Sequence, residues 1–105
     1  MIRIAIMYPN KPGAEFNSNY YRSFHLDLVR EKYTPFGLKG IELDQAKITD
    51  GLHKAPYFAI GYLFFESTQV FMAAYKATGA EVMADMENFT NVEPVIQVSQ
   101  YTQFL

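Results

Sequence analysis

No cysteine and no tryptophan occur among the 105 residues. The first absence removes disulfides, thiolate nucleophiles, redox pairs and cysteine-built zinc sites, and two histidines alone make a poor metal site. Neither sign of charge dominates: nine Lys and Arg stand against eleven Asp and Glu, a formal net charge of −2. The cations are scattered from Arg3 to Lys76 without a cluster, so the chain has no footprint for a phosphate backbone, and nucleic acid is not an expected partner. No apolar run approaches the ~18 residues of a membrane span, and the longest, Tyr57 to Phe65, is interrupted by Gly61. The opening Ile2-Arg3-Ile4-Ala5-Ile6 alternates, and lacks the basic start, apolar block and cleavage site of a secretory signal. The expectation is one soluble, cytoplasmic domain over residues 1–105, without membrane association.

What the chain has in excess is aromatic: eight Tyr and nine Phe, 16% of the residues, which a small core must place somewhere. Period-2 counting puts Ile2, Ile4, Ile6 and Tyr8 on one side of a first strand, ended by Pro9-Asn10-Lys11-Pro12-Gly13. Asn17 is placed to cap a helix, with Phe16 packing back on Tyr21 as a staple. The helix runs from about Ser18 to Tyr33, its stripe traced by Tyr21, Phe24, Leu28 and Lys32, with Tyr20, His25 and Val29 on the flanks. A half-exposed strand starts at Lys39 and reaches towards Ile48, followed by a loop through Pro56. Ser67 caps a second helix with Val70, Phe71, Ala74 and Tyr75 inward; Gly79 is expected to interrupt it before a further turn over 81–86. Val95 to Tyr101 is a last alternating strand, with Ile96 and Val98 inward on one reading.

The order β-α-β-β-α-β is that of the split βαβ plan, an α+β, ferredoxin-like four-stranded antiparallel sheet with both helices on one face. The third strand is apolar on both sides: Tyr57, Ala59, Gly61, Leu63 and Phe65 face one way, and Phe58, Ile60, Tyr62 and Phe64 the other. Helices cover only one of these rows. Exposing the other creates a patch near or above the few hundred Å² that monomers normally show. Each large apolar side chain buried contributes ~1.5 to 3 kcal/mol, so packing two sheets face to face in a homodimer is the expected remedy.

Several stretches in this order resemble the EthD family. They are Ile2 to Tyr8 with Pro9-Asn10-Lys11-Pro12-Gly13, Tyr20-Tyr21 with His25 and Leu28-Val29, and Ala55 to Gly61. Further on they are Gly79 to Asp85, Asn88-Phe89-Thr90 and Glu93 to Ser99, so the resemblance spans nearly the whole chain. The family is named for ethyl tert-butyl ether degradation, where its member accompanies a cytochrome P450 monooxygenase system. The resemblance implies a dimeric α+β barrel and makes His25 the family's helical histidine. Many relatives carry a proline two residues after it, where this chain has Asp27. The architecture also serves cofactor-free isomerases and oxygenases, so it leaves the reaction open.

His25, four residues after Tyr21, can point towards the sheet in an aromatic-lined space, and imidazole titrates near ~6.5, suited to acid/base work on an enolisable or phenolic substrate. A hydrogen-bonded core histidine is the plainer reading. Asp27 points elsewhere, and no His–carboxylate pair is legible. Tyr8, Tyr21 and Tyr62 are candidate phenol donors to a small apolar ligand, though at this spacing they also read as core. Gln97, a polar residue in an apolar strand, is a pocket contact, a seam hydrogen bond or a residue of the wetter face. Asn88 and Thr90 shape the turn before the last strand, and His53 sits in a loop without a role. No phosphate loop, catalytic triad or carboxylate pair is present, so no cofactor is expected; a haem on His25 has no other support. The reading is a cofactor-free lyase, isomerase or oxygenase acting on apolar compounds through His25, or a non-catalytic carrier or accessory module.

Overall fold

In the computed structural model, which describes residues 1–47 and 54–105, the alternation of β1 (Ile2–Pro9) buries Ile2, Ile4 and Tyr8 on one face. β1 lies inside the sheet, paired antiparallel with β3 (Tyr57–Phe65) and β4 (Val95–Gln100), and β2 (Gly40–Gln45) pairs with the far side of β3. The resulting order β2-β3-β1-β4 is the expected α+β topology. β2 ends at Gln45, short of the expected reach towards Ile48, since Ala46 and Lys47 are not strand; Ile48 itself and the loop residues 50–53, His53 among them, lie outside the described residues.

The first helix, α1, covers residues 18–33 and starts as the side chains dictate. Asn17 Oδ1 accepts the Tyr20 N–H at 3.0 Å, and the Phe16 and Tyr21 rings meet at 5.2 Å. Its middle departs from the expectation. Between Ser18–Tyr20 and Leu26–Tyr33 the chain makes one wide π turn over Tyr21–His25, with the Leu26 N–H reaching the Tyr21 carbonyl five residues back. Four residues of α-helix overshoot a full turn by about 40°; one wide turn offsets this and keeps every fourth residue in line. The buried row is therefore Tyr21, His25, Val29 and Tyr33, while Phe24, expected on the inner stripe, is 64% exposed.

The second helix, α2 (Thr68–Ala84), is capped by Ser67, whose Oγ accepts the Val70 N–H at 3.2 Å. Gly79 does not interrupt it. A Cβ there would lie 2.6 Å from Tyr75 Cδ2, so this glycine makes room for a ring folded along the helix. Ile2, Ile4, Leu63 and Phe65 from the sheet pack with Val29, Ala74 and Val82 from the helices as one core cluster.

Strand β3 divides as its pattern predicts, with Ala59, Gly61, Leu63 and Phe65 buried beneath the helices. On the other face Phe64 is only 7% exposed, because Tyr101 packs edge-on against it at 5.1 Å. The Arg3 guanidinium lies over the Tyr62 ring at 4.5 Å, so the chain partly covers its own outer face. Phe58 leaves that row: the register shifts between Tyr8 and Pro9, and Phe58 stacks on Phe16 at 5.4 Å. Ile96 and Val98 pair with Ile6 and Ile4 and so share the helix-facing side, yet remain 48% and 45% exposed because the helices do not extend over this edge strand.

Candidate functional site

Where α1, the end of α2 and the end of β1 meet, the structure collects an aromatic cluster. Tyr8 meets Phe16, Tyr21 and Phe89 at centroid distances of 5.2, 5.4 and 5.5 Å. Two segments hold Phe89 there. The Asn17 N–H donates to the Phe89 carbonyl at 2.8 Å, and Thr90 Oγ1 donates to the Glu15 carbonyl at 2.7 Å. Thr90 thus shapes the turn through the backbone, whereas Asn88 turns its amide to a side chain, Asp85.

His25 sits within this cluster, 3% exposed, its ring 4.6 Å from that of Phe89 and stacked along Tyr21 at 5.7 Å. Its Nδ1 lies 2.9 Å from Asp85 Oδ2. Asp85 begins the 3-10 turn Asp85–Asn88 that follows α2, and its Oδ1 accepts from Tyr20 Oη at 2.7 Å and from Asn88 Nδ2 at 3.0 Å. Burial pushes the His25 imidazole below its ordinary value, outweighing the opposing pull of the Asp85 carboxylate. For Asp85, burial acts upward but is outweighed by the hydrogen bonds from Tyr20, Asn88 and His25, which hold the carboxyl below its usual range. A neutral imidazole facing an ionised carboxylate has one arrangement available. The ring donates through Nδ1–H, and Nε2 is left unprotonated, able to take a proton.

His25 borders a narrow apolar cleft between helices and sheet, which Tyr8, Tyr33, Tyr75, Met83 and Ile96 also line. Burial raises the Tyr8 and Tyr21 hydroxyls far above the phenol range and the Tyr33 hydroxyl to about 12, so all three are proton donors and not phenolates. The enclosed volume is about 40 Å³, room for a few waters and not for an organic molecule. Tyr75, Met83 and Ile96 are each more than a third exposed, so this wall of the cleft borders solvent.

Of the residues singled out in the sequence, Tyr8, Tyr21 and His25 come together here. Tyr62 and Gln97 do not. Tyr62 faces the opposite side of the sheet, its hydroxyl donating to Asp44 Oδ2 at 2.9 Å, and Gln97 is exposed on that same side, its Nε2 donating to Ser99 Oγ at 3.0 Å. Tyr20 and Asp85 were not legible as site residues, because the His25–Asp85 contact spans sixty positions. One signal was available. A carboxylate at a helix C-terminus opposes the helix dipole, and Asp85 stands there with hydrogen-bond donors that offset the cost. Among the described residues no group of three or more His, Asp or Glu is placed to hold a metal ion.

No protein-family model and no curated protein matches the sequence. Solved structures do. An EthD-like protein from Ralstonia eutropha JMP134 superposes with a TM-score of 0.84 at 26% identity, over 94% of this chain and 89% of that one. An EthD family protein from Bacillus halodurans C-125 gives 0.74 at 11% identity, over 97% and 99%. HapK from Hahella chejuensis gives 0.60 at 11% identity, over 100% and 98%.

Proposed function

From an EthD-like fold with a buried histidine–aspartate pair at its helix–sheet seam, we propose that the protein binds a small, largely apolar organic molecule in the cleft beside His25 and moves a proton on it. The observation that supports this reading is the committed Nδ1–H of His25. Held by Asp85, the neutral ring keeps Nε2 as a base next to an apolar space. An enolisable or phenolic substrate would give its proton to Nε2, the Asp85 carboxylate would stabilise the imidazolium that forms, and the ring would return the proton to a neighbouring atom. That is isomerase, lyase or cofactor-free oxygenase chemistry, in the degradation of apolar compounds. Tyr8, which lines the same cleft, is a candidate to donate a hydrogen bond to a developing oxyanion, since its hydroxyl stays protonated.

The test is hydrogen exchange on a generic probe. In D2O, 2-tetralone should take up deuterium next to its carbonyl faster with the protein than with buffer, and His25→Gln should remove the difference. Exchange unchanged by His25→Gln would end this reading. The small enclosed volume favours a second one, a non-catalytic module in which the His25–Asp85 bond ties α1 to the turn after α2. In that case no exchange is seen and His25→Gln alters only stability.

The same proposal includes a homodimer. Met7, Ile60, Tyr62 and Val95 lie on the face away from the helices, none of them fully buried within one chain. A second sheet packed on this face would bury them. Sedimentation at micromolar loading should give twice 12.1 kDa; a lone 12.1 kDa species would exclude the pair.

A further inference from the structure

Among the described residues a second cleft, roomier than the one beside His25, opens at the surface. On the adjacent side of α1, between that helix and the free edge of β2, lies an open cleft of about 470 Å³, within the range of small-molecule sites. Arg22, Leu26 and Arg30 follow one another at four-residue spacing along the helix wall, and Leu38, Lys39 and Ile41 form the opposite wall. Three cations thus line one cleft of a chain whose net charge is −2, against a single lining carboxylate, Asp27.

The cations are set in different ways. Arg22 spans the cleft to β2, donating from Nη1 to Gln45 Oε1 at 3.1 Å, a neutral partner that does not itself offset the charge. Arg30 holds Asp27 Oδ1 at 2.8 Å, an exposed pair that solvent already weakens. Between them the walls are apolar, made by Leu26, Leu38 and Ile41. The bond from the Ala46 N–H to the Phe58 carbonyl fixes the phase of the β2–β3 ladder. In that phase the N–H and C=O of Ile41 point out from the sheet edge, towards the cleft side and unpaired within the sheet.

We propose that this cleft is a second small-molecule site, which takes an organic anion with an apolar body. Its carboxylate sits between Arg22 and Arg30, where two guanidinium forks can each offer paired donors. Its hydrocarbon part lies along Leu26, Leu38 and Ile41. The site shares a helix with the His25 cleft but uses the neighbouring face, about 100° round the axis, and different side chains, so it stands whether or not His25 is catalytic.

The experiment follows backbone amide shifts of the full chain while 4-phenylbutyrate is added, with 4-phenylbutanol and inorganic phosphate as comparisons. Phenylbutyrate should move the amides of residues 26, 30 and 38–41, and the neutral alcohol and phosphate should each bind at least about tenfold more weakly. The double variant Arg22→Gln/Arg30→Gln, whose fold is checked by circular dichroism, should weaken phenylbutyrate by about tenfold or more, and Lys39→Gln by less. His25→Gln should leave it unchanged. Equal binding of the alcohol, equal binding of phosphate, no effect of the double variant, shifts centred on the His25 cleft, or no shift at all would each overturn the proposal.

Discussion

Tyr21 seats its hydroxyl directly above Gly61: a Cβ built on that glycine would lie 2.5 Å from Tyr21 Oη. The contact joins the wide turn of α1 to the middle of β3, and Tyr21 is too deeply buried, at 1% exposed, to move away. Gly61→Ala should therefore lower the unfolding free energy by about 1–3 kcal/mol through overpacking, measured by urea denaturation. Tyr21→Phe removes the clashing oxygen and leaves the ring carbon at 3.8 Å, so the double variant should recover most of the loss. A double variant no better than Gly61→Ala alone would mean the glycine serves the strand and not this contact.

The stability of the fold should depend on His25 between neutral and mildly acidic pH. Its folded-state pKa lies below the ordinary value of 6.5, so the unfolded chain binds the proton more readily. The contribution is complete above about 6.5 and is lost as pH falls towards the lowered value. Unfolding free energies measured from pH 7.5 down to 5 should decline, and His25→Gln should flatten that decline. A slope that survives the substitution would assign it to other groups.

How much of this was readable from the chain follows the range of the interactions. The Asn17 cap, the Phe16–Tyr21 staple, the Ser67 cap and the two faces of β3 from Ala59 to Phe65 depend on neighbours a few residues apart, and local pattern contains them. The wide turn over Tyr21–His25 depends on tertiary demand for a straight buried row, which no 3.6-residue count contains, so that count puts Phe24 on the wrong side. Gly79 looked like a break because its role is to accommodate the Tyr75 ring, a contact within an intact helix. Tyr62 and Gln97 could be placed on a strand but not beside or away from His25, since that needs the register of the whole sheet.

Asn17 has two tasks, capping α1 through its side chain and anchoring Phe89 through its backbone N–H. Asn17→Ala removes only the first and should cost about 1 kcal/mol of stability. Asn17→Asp keeps the acceptor and should remain within a few tenths of the parent by the same denaturation measurement. A full loss in the aspartate variant would place the effect outside the cap.

Asp85→Asn should lower the His25 pKa further, because the carboxylate's hydrogen bond and charge are what oppose burial. Tyr20→Phe removes one hydrogen bond that holds Asp85 ionised, so the Asp85 carboxyl should titrate higher than in the parent. Carbon-13 chemical shifts followed with pH check both directions. A His25 pKa that rises on Asp85→Asn would contradict the arrangement.

The most direct test of the account is the protonation of the His25 ring itself, read from nitrogen-15 chemical shifts and ring couplings at pH 7. The account predicts a neutral ring with the proton on Nδ1, shared with Asp85, and a bare Nε2. A proton on Nε2 with Nδ1 bare, or a fully protonated imidazolium at that pH, would contradict it.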